Sequence, residues 1–290
     1  MPPAMRIPLL ALVWLSLAAP AAGAAEKAPR GSFPPAECIR CHTPRNPQLV
    51  ADWRASSHAR KTPKADCVAC HGNTHTGSLQ RARRDSACIG CHEKLNRAVV
   101  HSYTTSKHGV ITKLEDDHRT WEKPLTQGNY RTPGCAYCHA HRGEHNMGRG
   151  VTPWDALMAP GEAASATARD AIQPACGECH APRYVAEQSA SGARMTEVAR
   201  MKLREARALI DRQRGSATKE DLAALERQFA AMDEHGRNVR LGVGHQSPDY
   251  QWWHGHPALD GDLLRIKGRV SEMERLRALP AGTTDASPRN

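Results

Sequence analysis

Cys38-Ile39-Arg40-Cys41-His42, Cys67-Val68-Ala69-Cys70-His71, Cys88-Ile89-Gly90-Cys91-His92, Cys135-Ala136-Tyr137-Cys138-His139 and Cys176-Gly177-Glu178-Cys179-His180 contain all ten cysteines of this 290-residue chain. Two cysteines three positions apart, followed at once by a histidine, form the attachment signature of c-type haem. The thiols bond to the porphyrin edge and the imidazole becomes the proximal iron ligand. With 16 histidines in the chain, a histidine after every one of the five pairs would arise by chance roughly once in a million. Structural zinc would not require that histidine, and a disulfide framework would not space every cysteine by two. The motifs therefore predict five covalent c-type haems, with the ten cysteines as attachment points and His42, His71, His92, His139 and His180 as proximal ligands.

The composition around the motifs agrees. Two Phe, six Trp and five Tyr are few large rings for a chain of this length, too few to offset the entropy of ordering it by side-chain packing alone. Porphyrin faces are expected to supply much of the interior. The formal charge of +10 suggests an anionic partner at first sight, but loss of Arg6 with the signal peptide, ten ionised propionates and a single positive charge on each of five ferric centres would together bring the chain to about +4. Nucleic acid is thereby disfavoured, and no basic patch interleaved with aromatics is present. A redox partner protein fits better.

The expected fold class is mostly α: a loop-rich multihaem cytochrome with a C-terminal helical hairpin. Residues 1–24 read as a signal peptide, with Arg6 at its start, an apolar run from Ile7 to Ala19 and small residues at Ala22-Gly23-Ala24. The run is shorter than the roughly 20 residues needed to span a bilayer, so export to the periplasm is expected. Residues 25–190 hold the motifs, with short helices and loops between them. Residues 191–280 change character: Met195 to Arg214 is compatible with a helix, and Thr218-x-x-Asp221 resembles a capping box. A second helix follows with Leu222, Leu225, Phe229 and Met232 on one stripe and a stop at Gly236. The preferred role of this hairpin is structural. Leu259 to Leu279 looks helical, and 281–290 reads as a disordered tail.

Each iron needs a second axial ligand or an open face. Sixteen histidines less the five in the motifs leaves eleven, more than enough for five distal positions. Local context favours His58, His75, His108 and His145 as distal ligands, and Met147 could replace one of them.

Several segments resemble the hydroxylamine oxidoreductase family of multihaem cytochromes c. They are Trp53 to His58 leading to Cys67-Val-Ala-Cys70-His71-Gly72, Ser106-Lys107-His108-Gly109, and Trp121-Glu-Lys-Pro-Leu125 leading to the fourth motif and His145-Asn146. Cys179-His180-Ala-Pro-Arg183 and His245-Gln-Ser-Pro-Asp-Tyr250-Gln-Trp252-Trp253-His254-Gly255 complete the set. The resemblance implies a mostly helical fold, close-packed haems, electron flow through bis-histidine haems and often a homotrimer. Family enzymes carry eight haems on a chain nearly twice this long. One of those haems is five-coordinate and catalytic, and in oxidising members a neighbouring subunit's Tyr is cross-linked to it. The related nitrite reductases mark their catalytic haem with Cys-x-x-Cys-Lys, which is absent here. By resemblance, Asp117 and His118 are the candidate polar pair over a catalytic iron and Tyr250 the candidate cross-linking Tyr.

Two functions remain open on the residues alone. One is a periplasmic electron carrier whose irons are all six-coordinate, working between a quinol-linked or soluble cytochrome donor and a terminal partner. The other is an oxidoreductase in which one open iron acts on hydroxylamine, nitrite or a similar small nitrogen species.

Overall fold

The structure, a computed structural model, describes residues 29–123, 128–151 and 163–279, with side chains from 170 onward in the last segment. The expected signal peptide and C-terminal tail lie outside these residues. Among the described residues there is no strand, and the chain is mostly α as expected.

The haem-motif half is built from short helices: α1 (Pro35–Arg45), α2 (Pro47–Ala55), α3 (Ser57–Arg60), α4 (Cys67–His71), α5 (Ser78–Arg83), α6 (Ser86–Leu95), α7 (Arg97–Thr104), α8 (Lys107–Glu115) and α9 (Cys135–His139). Local sequence sets their ends. Pro35 and Pro47 start α1 and α2, where a missing N–H costs nothing. The Asp66 carboxylate accepts from Ala69 N at 3.1 Å to cap α4, and Ser106 Oγ accepts from Gly109 N at 3.1 Å to cap α8. Beyond α9 come α10 (Ala163–Gly177), α11 (Pro182–Gln213), α12 (Lys219–Gly244), α13 (Pro248–Gln251) and α14 (His256–Ala278).

Helices α11, α12 and α14 pack on one another. Their shared core includes Leu203, Ile210, Leu225, Met232, Leu259 and Ile266, all fully buried. The stripe foreseen on the second helix faces this core, Leu225 and Met232 buried and Leu222 and Phe229 packed against it. The Thr218 hydroxyl accepts from Asp221 N at 3.1 Å, as the capping box requires. Two expected boundaries move. Helix α11 begins at Pro182, directly after the fifth motif, instead of at Met195. Helix α12 runs through Gly236 to Gly244, because packing of Val239 and Leu241 outweighs the roughly 1 kcal/mol cost of a helical glycine. Gly242 serves a packing purpose: a Cβ there would sit 2.6 Å from Gln251 N and 2.8 Å from Tyr250 C, so only glycine admits α13 against α12.

Leu203→Ala is expected to cost about 2–5 kcal/mol by opening a cavity in this bundle. Thermal unfolding followed by far-ultraviolet circular dichroism measures it, and the visible spectrum of the haem half should be unchanged in the folded variant.

Candidate haem centres

In a helical turn, positions i, i+3 and i+4 share one face. A Cys-x-x-Cys-His sequence folded as a helix therefore aims both thiols and the imidazole into the same space. Helices α4 and α9 are little more than the motif itself, and the first and third motifs lie within α1 and α6. The fifth closes the end of α10, where Cys179 N and His180 N both donate to Cys176 O, at 3.2 and 3.0 Å.

These faces converge on one continuous cavity of about 2770 Å³, several times the ~300–1,000 Å³ of an ordinary small-molecule site. All five motif histidines line it, as do eight of the ten motif cysteines; Cys91 and Cys179 are exposed. Few large apolar side chains in residues 29–180 are buried, Val50, Val100, Trp121 and Tyr137 among them. The middle of this half is cavity where a side-chain core would otherwise stand.

Consecutive motifs are neighbours in space, as their thiols report. Burial and then the Cys38 thiol push Cys67 up, and burial followed by Cys88 and Cys91 pushes Cys70 up. A hydrogen bond with Cys88, then burial, pushes Cys135 up, while burial and then Cys176 push Cys138 up to about 12. Side chains brace this order. Asp85 Oδ1 accepts from Cys135 N at 2.7 Å, joining the third and fourth motifs. Tyr137, inside the fourth motif, donates to Glu178 Oε2 at 2.5 Å inside the fifth. That bond first, with Arg142, holds the Glu178 carboxyl below its ordinary range.

Every motif histidine has a second imidazole beside it. Ring centroids are 6.4 Å apart for His42 and His75, 6.1 Å for His71 and His145, 6.1 Å for His92 and His58, 6.5 Å for His139 and His245, and 6.1 Å for His180 and His108. A metal held between two imidazole nitrogens at ~2.0–2.1 Å each separates ring centroids by about 6.3 Å. The donor sets thus fit one iron each. Burial pushes His58, His71, His108 and His139 below the ordinary imidazole range, and pushes His245 down to about 4 with His139 and Arg240 adding to it. Neutral rings keep a lone pair for a metal. In four of the ten, Nδ1 is already engaged: His75 with Pro29 O at 3.0 Å, His139 with Met147 O at 3.4 Å, His145 with Gly143 O at 2.7 Å and His245 with Ser102 Oγ at 2.7 Å. Such outer bonds fix the ring and leave Nε2 for the metal. On the cavity wall, Arg200 Nε is buried without a hydrogen-bond partner, a donor suited to a haem propionate.

The four histidines favoured by local context, His58, His75, His108 and His145, all stand opposite a motif histidine. His245 was missed. It lies 106 residues after His139, where spacing carries no signal, although it opens one of the segments that carry the family resemblance. Met147 meets His139 through its carbonyl oxygen. Asp117 and His118 lie in an exposed 3-10 turn, Asp116–His118, and neither lines the cavity. Tyr250 is buried, with its hydroxyl 3.2 Å from His101 Nδ1.

The family model described as "Seven times multi-haem cytochrome CxxCH" matches residues 46–213; the chain carries five such motifs, the first of them outside that span. Over 92 residues it is 33% identical to a probable nitrite reductase-hydroxylamine oxidoreductase fusion protein of Kuenenia stuttgartiensis, a match that covers 27% of this chain and 11% of that relative. The chain thus matches about a tenth of the length of this curated protein. Its fold is similar to that of a chain of the reducing HAO-like protein complex of Kuenenia stuttgartiensis, with a TM-score of 0.54 at 16% identity over 84% of this chain and 86% of that one. With its motif faces turned into one cavity and that model spanning more than half of its length, the chain belongs to the multihaem Cys-x-x-Cys-His cytochromes, which bind c-type haem covalently.

Proposed function

We propose that the chain holds five covalent c-type haems in a row and passes electrons along them, in the periplasm, between a quinol-linked or soluble donor and a terminal redox partner. The observation that carries this reading is the second imidazole standing opposite each motif histidine. Paired in this way, the ten histidines would hold every iron from both sides and leave no coordination position for a substrate. Bound haem supplies reversible one-electron exchange between ferric and ferrous iron.

The chain's own work is to position and insulate. Ser102 Oγ and the carbonyls of Pro29, Gly143 and Met147 lock imidazole orientation. Asp85 and the Tyr137–Glu178 bond keep neighbouring motifs together. Similarity in fold to a chain taken from a complex supports a protein redox partner, and self-association is consistent with it. The N-terminal apolar run and the export usual for c-type cytochromes support the periplasm. No helix of the described residues is long and apolar enough to cross a membrane.

An oxidoreductase acting on hydroxylamine or nitrite, with Asp117 and His118 handling protons and Tyr250 as the cross-linking Tyr, draws its support from the curated relative's name. It needs a motif histidine without an imidazole opposite, and among the described residues each motif histidine has one. Electron paramagnetic resonance of the ferric holoprotein separates the two readings. Five low-spin haems indifferent to added hydroxylamine are expected. A high-spin signal that shifts on adding hydroxylamine would replace the carrier with the enzyme.

A further inference from the structure

Away from the haem cavity, His101, Asp249 and His254 each offer a ligand atom, and the three atoms lie within 4.8 Å of one another. The His101 and His254 ring centroids are 6.1 Å apart, the separation seen in the five haem pairs. No haem can account for it, because all ten cysteines belong to motifs whose histidines already have partners. We propose that these three residues form a binding site for one divalent transition ion of the zinc class, distinct from the haem centres.

Two neutral imidazoles and one carboxylate are a donor set for a borderline divalent ion, with water completing the coordination. The half-exposed setting suits that: His101 and Asp249 are partly buried and His254 is exposed. The surrounding turn is wound to bring the ligands together. His254 N donates to Asp249 O at 3.1 Å, and Asn238 Nδ2, from α12, donates to His254 O at 3.0 Å. Gly255 completes the turn, since a Cβ there would lie 2.3 Å from Tyr250 O and 2.5 Å from Gln251 O. His254 Nε2 comes to 3.7 Å from Asp249 Oδ2, and entry of an ion would draw the groups closer. Tyr250 holds Nδ1 of His101 at 3.2 Å, leaving the other ring nitrogen for the ion, as outer-shell partners of metal-bound histidines do.

The position gives the site a purpose. His101 lies on α7, while Asp249 and His254 lie on the segment that follows His245, the imidazole opposite His139. An ion there clamps that segment onto α7 beside Ser102, which holds His245.

Zinc chloride titrated into untagged, chelator-treated holoprotein, read by calorimetry and by elemental zinc per chain, tests the proposal. One ion per chain is expected, together with a rise in the midpoint of thermal unfolding. His254→Ala and Asp249→Asn should each weaken binding by more than about 100-fold, and Tyr250→Phe by about tenfold. Binding untouched by His254→Ala and Asp249→Asn, or no saturable binding, would overturn it. His254 is exposed, so its variant should fold, and an unchanged haem spectrum verifies that. Zinc is counted against protein and not against iron, so this result and the haem reading stand or fall separately.

Discussion

His245→Ala is expected to turn one of five haems from low-spin to high-spin, leaving about four-fifths of the ferric low-spin signal intact. The imidazole of His245 lies 6.5 Å, centroid to centroid, from that of His139. Deleting it would remove the imidazole proposed as the second axial ligand opposite His139 and would leave Ser102, itself fully buried, without the ring it bonds at 2.7 Å. Added imidazole should enter the space and restore the low-spin signal, an outcome that general unfolding would not produce. His118→Ala, on an exposed turn outside the cavity, serves as the control and should leave all five signals alone. A fully low-spin His245→Ala spectrum without imidazole would remove His245 from the ligand set.

The largest expected loss of stability comes from Arg119→Ala. Arg119 is 7% exposed and its bonding partners are neutral: Nη1 donates to Thr132 O at 3.0 Å, and Nη2 donates to Thr132 Oγ1 at 2.8 Å and Thr112 Oγ1 at 3.1 Å. Its guanidinium also lies 5.7 Å from the Trp121 ring centroid and 5.4 Å from that of Tyr130. Hydrogen bonds from a charged donor contribute about 1.5–3 kcal/mol each, though not additively. A net loss of about 3–5 kcal/mol is expected, a fall in Tm on the order of 10 °C. Lysine keeps the charge but not the planar fork, so Arg119→Lys should recover less than half. The damage should reach the haem half: Thr112 accepts from the Tyr103 hydroxyl at 3.1 Å, and the Tyr103 ring packs edge-on against His245 at 6.1 Å. A Tm within a degree or two of wild type would show that the threonines rearrange without it.

The division between sequence and fold follows from the range over which each constraint acts. Cys-x-x-Cys-His is a local pattern: one helical turn puts three groups on one face whatever surrounds it. The motifs and the scarcity of aromatic side chains were therefore enough to read covalent haem, a mostly α class and a motif half whose interior is not filled by side chains alone. The Thr218 cap and the Leu222 to Met232 stripe are equally local, and both appear where the spacing places them. His58, His75, His108 and His145 sit in short stretches that single them out. His245 does not, because its neighbour His139 is reached only when α12 folds back across the motif half, and no periodicity records a contact 106 residues long. The same folding decided that α12 passes through Gly236, since packing of Val239 and Leu241 outweighs the local cost of a helical glycine. It also set Asp117 and His118 on the surface and gathered His101, Asp249 and His254 from distant segments into one cluster. Attachment chemistry is thus a property of five short stretches of chain, whereas the partner of each motif imidazole is a property of long-range packing, which only the tertiary structure determines.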